Sequence, residues 1–240
     1  MFVALISLTE VLDDFLQYIY HVDRTKTGSA TGLDLVLNGW VDSLSGDTRH
    51  IVIRGTHLHI HGAANLRLSY LAIRLLVQRI QFETDRQHLD SADERLLNRY
   101  HETRRTSEDI VMLTQELQPL HLGDFWLSIS AFCYPATIGF LLRCALETNS
   151  SPASIIQDRS FIIARDLLST LRTHQEKHDW DLGDLSLAQH SDIVEKILHG
   201  ASTEDQHPSG NPENLQDFVP DASILDQFFP SLWDPLQGVW

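Results

Sequence analysis

The apolar residues of segment 62–82 recur at helical spacing and cover most of the circumference of a helix. These apolar positions are Leu66, Leu68, Tyr70, Leu71, Ile73, Leu75, Leu76, Val77, Ile80 and Phe82. The polar stripe that remains consists of Arg67, Arg74, Gln78 and Gln81. A surface helix carries a narrower apolar face, so the pattern predicts a helix in the middle of an α-helical core.

Apolar stripes with the same period predict further helices on both sides of this segment. The predicted helices span residues 2–20, 33–44, 107–117, 125–146, 151–176 and 184–198. Turn-forming residues at 45–47 are expected to end the second helix, and Gly200 is a natural C-cap for the last. We expect segment 50–61 to be extended or a linker, and segment 84–106 to be a solvated helical extension or a loop.

Two of these predictions depend on single residues. Ser107 is predicted to begin its helix, because Glu108 and Asp109 follow it in the first turn, where the helix dipole favours acidic side chains.

Segment 125–146 is apolar on nearly every face, and Pro135 is expected to kink it. A membrane span needs about 20 apolar residues. The polar residues inside this segment favour a protein core instead, and we predict no membrane contact.

Charge and cysteine content exclude several classes of protein. The formal net charge is −15, and Lys26, Lys177 and Lys196 are the only lysines among the 240 residues. Nucleic-acid interfaces need clustered basic side chains, so direct nucleic-acid binding by this chain alone is not expected. Cys133 and Cys144 form no paired motif, which excludes a readable disulfide framework or cysteine zinc site and favours a reducing, intracellular setting.

Two histidine patterns are candidates for metal chemistry. In an extended strand, His57, His59 and His61 would share one side, as a metal site needs. The rest of the chain predicts helices rather than a strand scaffold, so we predict no metal there. His174 and His178 are four apart, but Gln175 stands where the zinc-protease motif needs Glu, which favours a solvated helix end. No phosphate-binding loop, nucleophile elbow or cofactor motif is present. We therefore predict no catalytic residues, no cofactor and no enzyme activity.

The last forty residues differ in composition from the rest. Residues 201–240 contain seven acidic residues, no Lys or Arg, and several aromatic residues. This composition is typical of disordered activation segments, whose aromatic side chains fold onto a coactivator. We predict that Phe228, Phe229 and Trp233 are the partner-binding residues. The alternative is that the same three side chains pack on the helices of this chain.

Four segments resemble fungal zinc-cluster transcription factors, in their regulatory middle homology domain. The first is the leucine- and tyrosine-rich segment 62–82, which carries Arg79-Ile80 near its end. The second is segment 37–44 with its single Trp40, and the third is Asp124-Phe125-Trp126 ahead of a long apolar helix. The fourth is the closing segment 171–184 with Trp180. The resemblance covers about residues 2–198. The six-cysteine DNA-binding cluster of the family and its basic linker do not occur in this sequence. The upstream half of the regulatory domain is also expected to be missing.

The resemblance implies a non-catalytic regulator of transcription by RNA polymerase II, located in the nucleus. We therefore expect an all-α fold, with one irregular helical regulatory domain at residues 1–200 and a disordered acidic tail at 201–240. The resemblance implies coactivators or other transcription proteins as partners of the tail, and a homodimer is an option that the sequence leaves open. Two alternatives also stay open. One is a small helical metal-binding protein or hydrolase using His57, His59 and His61, and the other is a truncated gene product without function.

Overall fold

The fold consists of helices throughout the described part of the chain. The computed structural model describes residues 1–20, 30–86, 93–149 and 151–204. Every regular element in these ranges is helical, which confirms the all-α fold class. The helices are α1 (Phe2–Tyr20), α2 (Ala30–Ser43), α3 (Gly46–Arg54), α4 (Ala63–Arg86), α5 (Glu94–Glu116), α6 (Pro119–Leu122), α7 (Ser128–Thr148), α8 (Pro152–Ile155), α9 (Arg159–His178) and α10 (Asp184–Glu204), with a 3₁₀ turn at Asp181–Gly183 before α10.

Helix α4 lies at the centre of the core, as its apolar pattern predicts. It packs against α1, α2, α3, α5 and α7, so other helices surround it. Even its polar stripe is largely buried, since the exposed fraction is 7% for Arg67 and 5% for Gln78. The Arg67 guanidinium donates a hydrogen bond to the carbonyl oxygen of Val52 in α3. Burial lowers the pKa of Arg67 from its ordinary value. The stripe is therefore a polar seam inside the core rather than a solvated face.

Helix α5 begins well before the predicted start at Ser107. Its N-cap is Asp93, whose carboxylate accepts a hydrogen bond from the backbone N–H of Arg95. Ser107 is buried in the helix, and its hydroxyl donates to the carbonyl oxygen of Thr103. A serine can cap a helix or bond back to the preceding turn, and the sequence alone does not distinguish the two. The predicted helix start at Ser107 is therefore wrong.

Two other predicted boundaries also differ from the structure. Residues 46–54 form helix α3 instead of a turn and an extended segment, and this helix ends at Gly55 with φ +67°. Helix α10 continues through Gly200 to Glu204 rather than ending at that glycine. Glycine inside a helix costs only about 1 kcal/mol. Buried side chains on both sides, Ile197 and Ala201, keep this last part of α10 packed on the core.

Helix α7 belongs to the protein core. Within the described residues it is the one helix long and apolar enough to cross a membrane by length and composition, yet 61% of its most apolar stretch is buried inside the structure. It packs against α4, α5, α9 and α10. Its fully buried residues include Tyr134, Ile138 and Leu141. Burial in a helical core accounts for the apolar composition of this helix.

The single helix predicted at 151–176 is divided in two. The short helix α8 has a reciprocal capping pair, in which Ser151 and Ser154 each bond the other's backbone N–H. Helix α9 then begins after Asp158, whose carboxylate accepts from the N–H of Ser160. Two separate N-caps within eight residues thus explain why the chain turns here. Helix α10 packs on both pieces and on α7.

Candidate functional site

The predicted partner-binding residues lie outside the part of the chain that the structure describes. Phe228, Phe229 and Trp233 fall in residues 205–240, beyond the last described residue, Glu204. The predicted acidic activation segment, and the alternative that its aromatic side chains pack on the helices, therefore stay predictions. The candidate site must be sought among the helices and the loops that join them.

The histidine triplet lies in a turn between α3 and α4, not in a strand. His57 has a positive φ of 57°, and its ring centroid is 5.9 Å from that of His59 in an edge-on arrangement. The Nδ1 atom of His61 lies 3.4 Å from the Oδ1 atom of Asp124, with the His61 side chain 89% exposed. Within residues 1–20, 30–86, 93–149 and 151–204, no group of three or more His, Cys, Asp or Glu side chains could hold a metal ion. The extended strand on which the metal hypothesis depends is not formed.

We therefore expect purified protein to retain no zinc through His57, His59 and His61. A tetrahedral zinc site needs four converging ligands, or three and a water, and no such group forms among the described residues. Metal analysis after exhaustive dialysis measures this directly. Zinc at one equivalent per chain, lost on replacing all three histidines by alanine, would show that the site exists.

The segments that carry the family resemblance contact one another. The Trp40 ring in α2 stacks on the Tyr70 ring in α4, with centroids 6.1 Å apart. The Trp40 Nε1–H donates to the hydroxyl oxygen of Ser7 in α1, at 2.9 Å. One tryptophan thus joins α1, α2 and the central helix. Its isolation in a short helix reflects packing rather than chemistry.

Asn65 joins the start of α4 to the segment that precedes α7. Its Nδ2–H donates to the carbonyl oxygen of Phe125 at 2.7 Å, and its Oδ1 accepts from the backbone N–H of Leu127 at 3.2 Å. The Ser69 hydroxyl, one turn along α4, donates to the same Oδ1 atom at 3.1 Å. Asn65 is 1% exposed, and its two hydrogen bonds to the backbone of this segment are partly buried. The Asn65 side chain thus provides hydrogen-bond partners for the Phe125 carbonyl and the Leu127 N–H, which form no hydrogen bonds within a helix.

Aromatic rings from α7, from α9 and from the segment just before α7 pack around Trp180, which precedes the 3₁₀ turn. Its ring centroid lies 5.5 Å from those of Trp126 and His174 and 6.1 Å from that of Tyr134, all edge-on. His174 is buried, and its Nε2 is 3.0 Å from the carbonyl oxygen of Thr114 in α5. The prediction of a solvated helix end is therefore wrong for His174. Burial raises the pKa of the Tyr134 hydroxyl, so this phenol stays protonated.

Gly183, in the 3₁₀ turn after Trp180, lies close to Leu171 in α9, and this contact leads to a testable prediction. A Cβ atom at Gly183 would lie 3.0 Å from the Cβ and Cδ2 atoms of the fully buried Leu171. We expect Gly183→Ala to lower the free energy of unfolding by about 1–3 kcal/mol, because a tightly packed core does not absorb an added methyl group. Urea unfolding followed by tryptophan fluorescence measures the change.

Gly39 supplies the matched control, since it lies in α2 and a methyl group added there would have nothing within 4 Å. There the same substitution should raise the stability by about 0.5–1 kcal/mol, because alanine is the better helix former. Equal effects at the two positions would contradict the packing argument.

A cleft of about 510 Å³ lies where the end of α5 and helix α6 meet the loop before α4. It is lined by Leu58, His59, Gln115, Glu116, Leu117, Gln118 and His121. His121 is only 6% exposed, and its Nδ1 accepts a hydrogen bond from the backbone N–H of Gln118 at 3.0 Å. Its Nε2 is buried without a hydrogen-bond partner among the described residues. A buried polar atom without a partner beside a cleft is the strongest sign of a ligand site among the described residues.

Neither of the two cysteines has the properties of an activated nucleophile. Burial raises the pKa of both Cys133 and Cys144 to about 12, so both stay protonated thiols. His190 is buried, and burial lowers its pKa from the ordinary value. These are the properties of packed core residues rather than of an activated nucleophile and its base.

Sequence patterns did not identify Asn65 and His121, the two polar residues with the most specific contacts. The one signal for Asn65 is a polar residue in the first turn of a helix that is otherwise apolar. His121 gives no such signal, because its role depends on the backbone geometry of α6.

Comparisons of this chain with protein-family models, with curated proteins and with solved structures give no match.

Proposed function

We propose that this chain is the non-catalytic regulatory part of a fungal zinc-cluster transcription factor and that it acts in the nucleus on transcription by RNA polymerase II. One observation supports the proposal. The four segments that resemble the family are far apart in the sequence, and they meet in the fold through Trp40 and Tyr70, Asn65 and the backbone of Phe125, and Trp126 and Trp180. A set of residues that packs together is what a shared regulatory fold would need.

In the mechanism that we propose, the helices and the tail have different roles. The helices of residues 1–204 form a rigid scaffold, because their aromatic and polar junction residues are buried. The acidic tail with Phe228, Phe229 and Trp233 contacts coactivators. Such segments bind by burying aromatic anchors in a partner's groove, and this mode of binding needs no catalytic group.

A reporter assay tests the proposal. The full chain is fused to a heterologous DNA-binding domain in a fungal host, alongside a version that ends at residue 204. We expect the full-chain fusion to activate transcription and the shortened fusion to be inactive at equal protein level. A full-chain fusion that is nuclear, folded and silent would refute the proposal, and equal activity of the two would refute the role of the tail.

We also expect the isolated chain to bind no DNA sequence specifically. Its net charge of −15 repels phosphate, and the only lysines are Lys26, Lys177 and Lys196. Fluorescence anisotropy with duplex DNA at physiological salt measures this. Binding below about 1 μM that differs between DNA sequences would contradict the prediction, since non-specific binding falls at roughly 1–100 μM.

A further inference from the structure

The hydrogen bond at His121 fixes the proton on its ring. The backbone N–H of Gln118 donates to Nδ1, so Nδ1 must carry the lone pair. In the neutral ring the proton then resides on Nε2, which is a donor without a partner among the described residues. This tautomer cannot bind a metal through Nε2. A ligand in the cleft must therefore offer His121 a hydrogen-bond acceptor.

The charge of the cleft favours a cation. Glu116 is exposed, lines the cleft and forms no ion pair with the described residues. It is also the last residue of the 23-residue helix α5, whose C-terminal carbonyl groups carry partial negative charge. The buried Arg67 interacts with Glu116 at longer range, but its guanidinium donates to the Val52 carbonyl. The cleft thus has a negatively charged edge at Glu116 and one buried hydrogen-bond donor, the Nε2–H of His121.

The remaining lining residues limit the size and character of the ligand. Leu58 and Leu117 provide apolar surface, whereas Gln115 and Gln118 can donate or accept hydrogen bonds. The volume of about 510 Å³ suits a small organic molecule. The Nε2 atom of His121 is itself covered. Binding therefore requires a side chain at the cleft to turn aside, and Gln115, Glu116 and Gln118, which line the cleft, are exposed.

We propose that this cleft binds an aminoacyl group, a protonated amine next to a carbonyl, with an aliphatic side chain. The carbonyl oxygen accepts the Nε2–H of His121, the ammonium group pairs with Glu116, and the side chain lies against Leu58 and Leu117. An amino-acid amide and the N-terminus of a peptide share this chemistry. The proposal does not depend on the transcriptional function, since binding to the isolated chain is expected whatever that function is.

Titration of the full chain with leucinamide tests the proposal. Two-bond ¹H–¹⁵N spectra of ¹⁵N-histidine-labelled protein report the tautomer and hydrogen bonding of each ring. We expect one ring, whose signals are absent in His121→Asn, to shift as leucinamide binds. N-acetyl-leucinamide lacks the cation and should bind at least about 5-fold more weakly, as expected for loss of one charge-assisted hydrogen bond. Comparing leucinamide with the tripeptide amide Leu-Gly-Gly-NH₂ distinguishes the two sources, because the tighter ligand identifies the natural one.

Three variants locate the contacts. His121→Asn keeps an acceptor in place of Nδ1 but is too short to place a donor at the position of Nε2, so binding should weaken by about 5-fold while the cap of α6 stays intact. Glu116→Gln should weaken binding by about as much, and because Glu116 is exposed the fold should not change. Glu10→Gln makes the same charge change at an exposed position of α1 and should have no effect.

The proposal is overturned if neither ligand shifts a histidine signal at any accessible concentration. It is equally overturned if Glu116→Gln and His121→Asn bind as tightly as the unmodified chain, or if acetylation of the amine has no effect. If His121→Asn fails to fold, the Glu116→Gln comparison and the acetylated ligand still decide the question.

Discussion

Replacing Asn65 by alanine should lower the free energy of unfolding by about 1–3 kcal/mol, since two backbone groups lose their hydrogen-bond partner at once. The Phe125 carbonyl and the Leu127 N–H both bond to this side chain, which is 1% exposed. The two hydrogen bonds are partly buried and join α4 to the segment before α7. The cost should therefore exceed that of an ordinary surface hydrogen bond.

Urea unfolding measures this effect, with Asn98→Ala as the matched control. Asn98 is exposed in α5, where the change to alanine should alter the stability by less than about 0.7 kcal/mol. Asn65→Asp supplies a second comparison, because it keeps the acceptor for Leu127 and removes the donor for Phe125. Equal stabilities for Asn65→Ala and Asn98→Ala would show that the junction is held by apolar packing alone.

The centre of the fold could be predicted from the sequence because it depends on periodicity. Helix α1 has the predicted bounds, and α4 is buried as its wide apolar arc indicates. A helix with ten apolar positions in 21 has one stable environment, inside other helices. Such predictions need only local spacing, which a single sequence supplies.

The boundaries that differ depend on packing that the local pattern of residues does not reveal. Helix α3 has few apolar residues, yet Val52 is fully buried against the core and its carbonyl accepts from Arg67, fifteen residues away. Ser107 looks like a helix start and instead bonds back to Thr103 within α5. In each case tertiary packing decides between two local structures of similar energy.

The cleft could not be predicted for a related reason. The unpartnered Nε2 of His121 follows from the hydrogen bond that Gln118 makes to Nδ1, and this bond needs the backbone of α6. His57, His59 and His61 are more conspicuous in the sequence, because an extended strand would place them on one side. They lie in a turn instead, and no group of three or more metal-ligating side chains forms among the described residues.

Replacing Phe228, Phe229 and Trp233 by alanine should reduce reporter activation by the fused chain to background. Residues 201–240 contain seven acidic residues and no Lys or Arg, and we expect this charge to keep their aromatic side chains available to a partner. Burial of each aromatic side chain contributes roughly 1.5–3 kcal/mol, partly offset by the entropy of ordering the segment. Loss of all three therefore removes more than the net binding free energy that such a segment retains.

The control for this prediction changes charge and keeps the aromatic residues. Replacing Glu204 and Asp205 by glutamine and asparagine leaves five of the seven acidic residues in place, so activation should weaken without being lost. Protein level and nuclear location are measured for every fusion, so that silence reports activity rather than abundance. If the triple variant activates as strongly as the original chain, the aromatic residues are not anchors. In that case a coactivator would have to contact the helices instead of the tail.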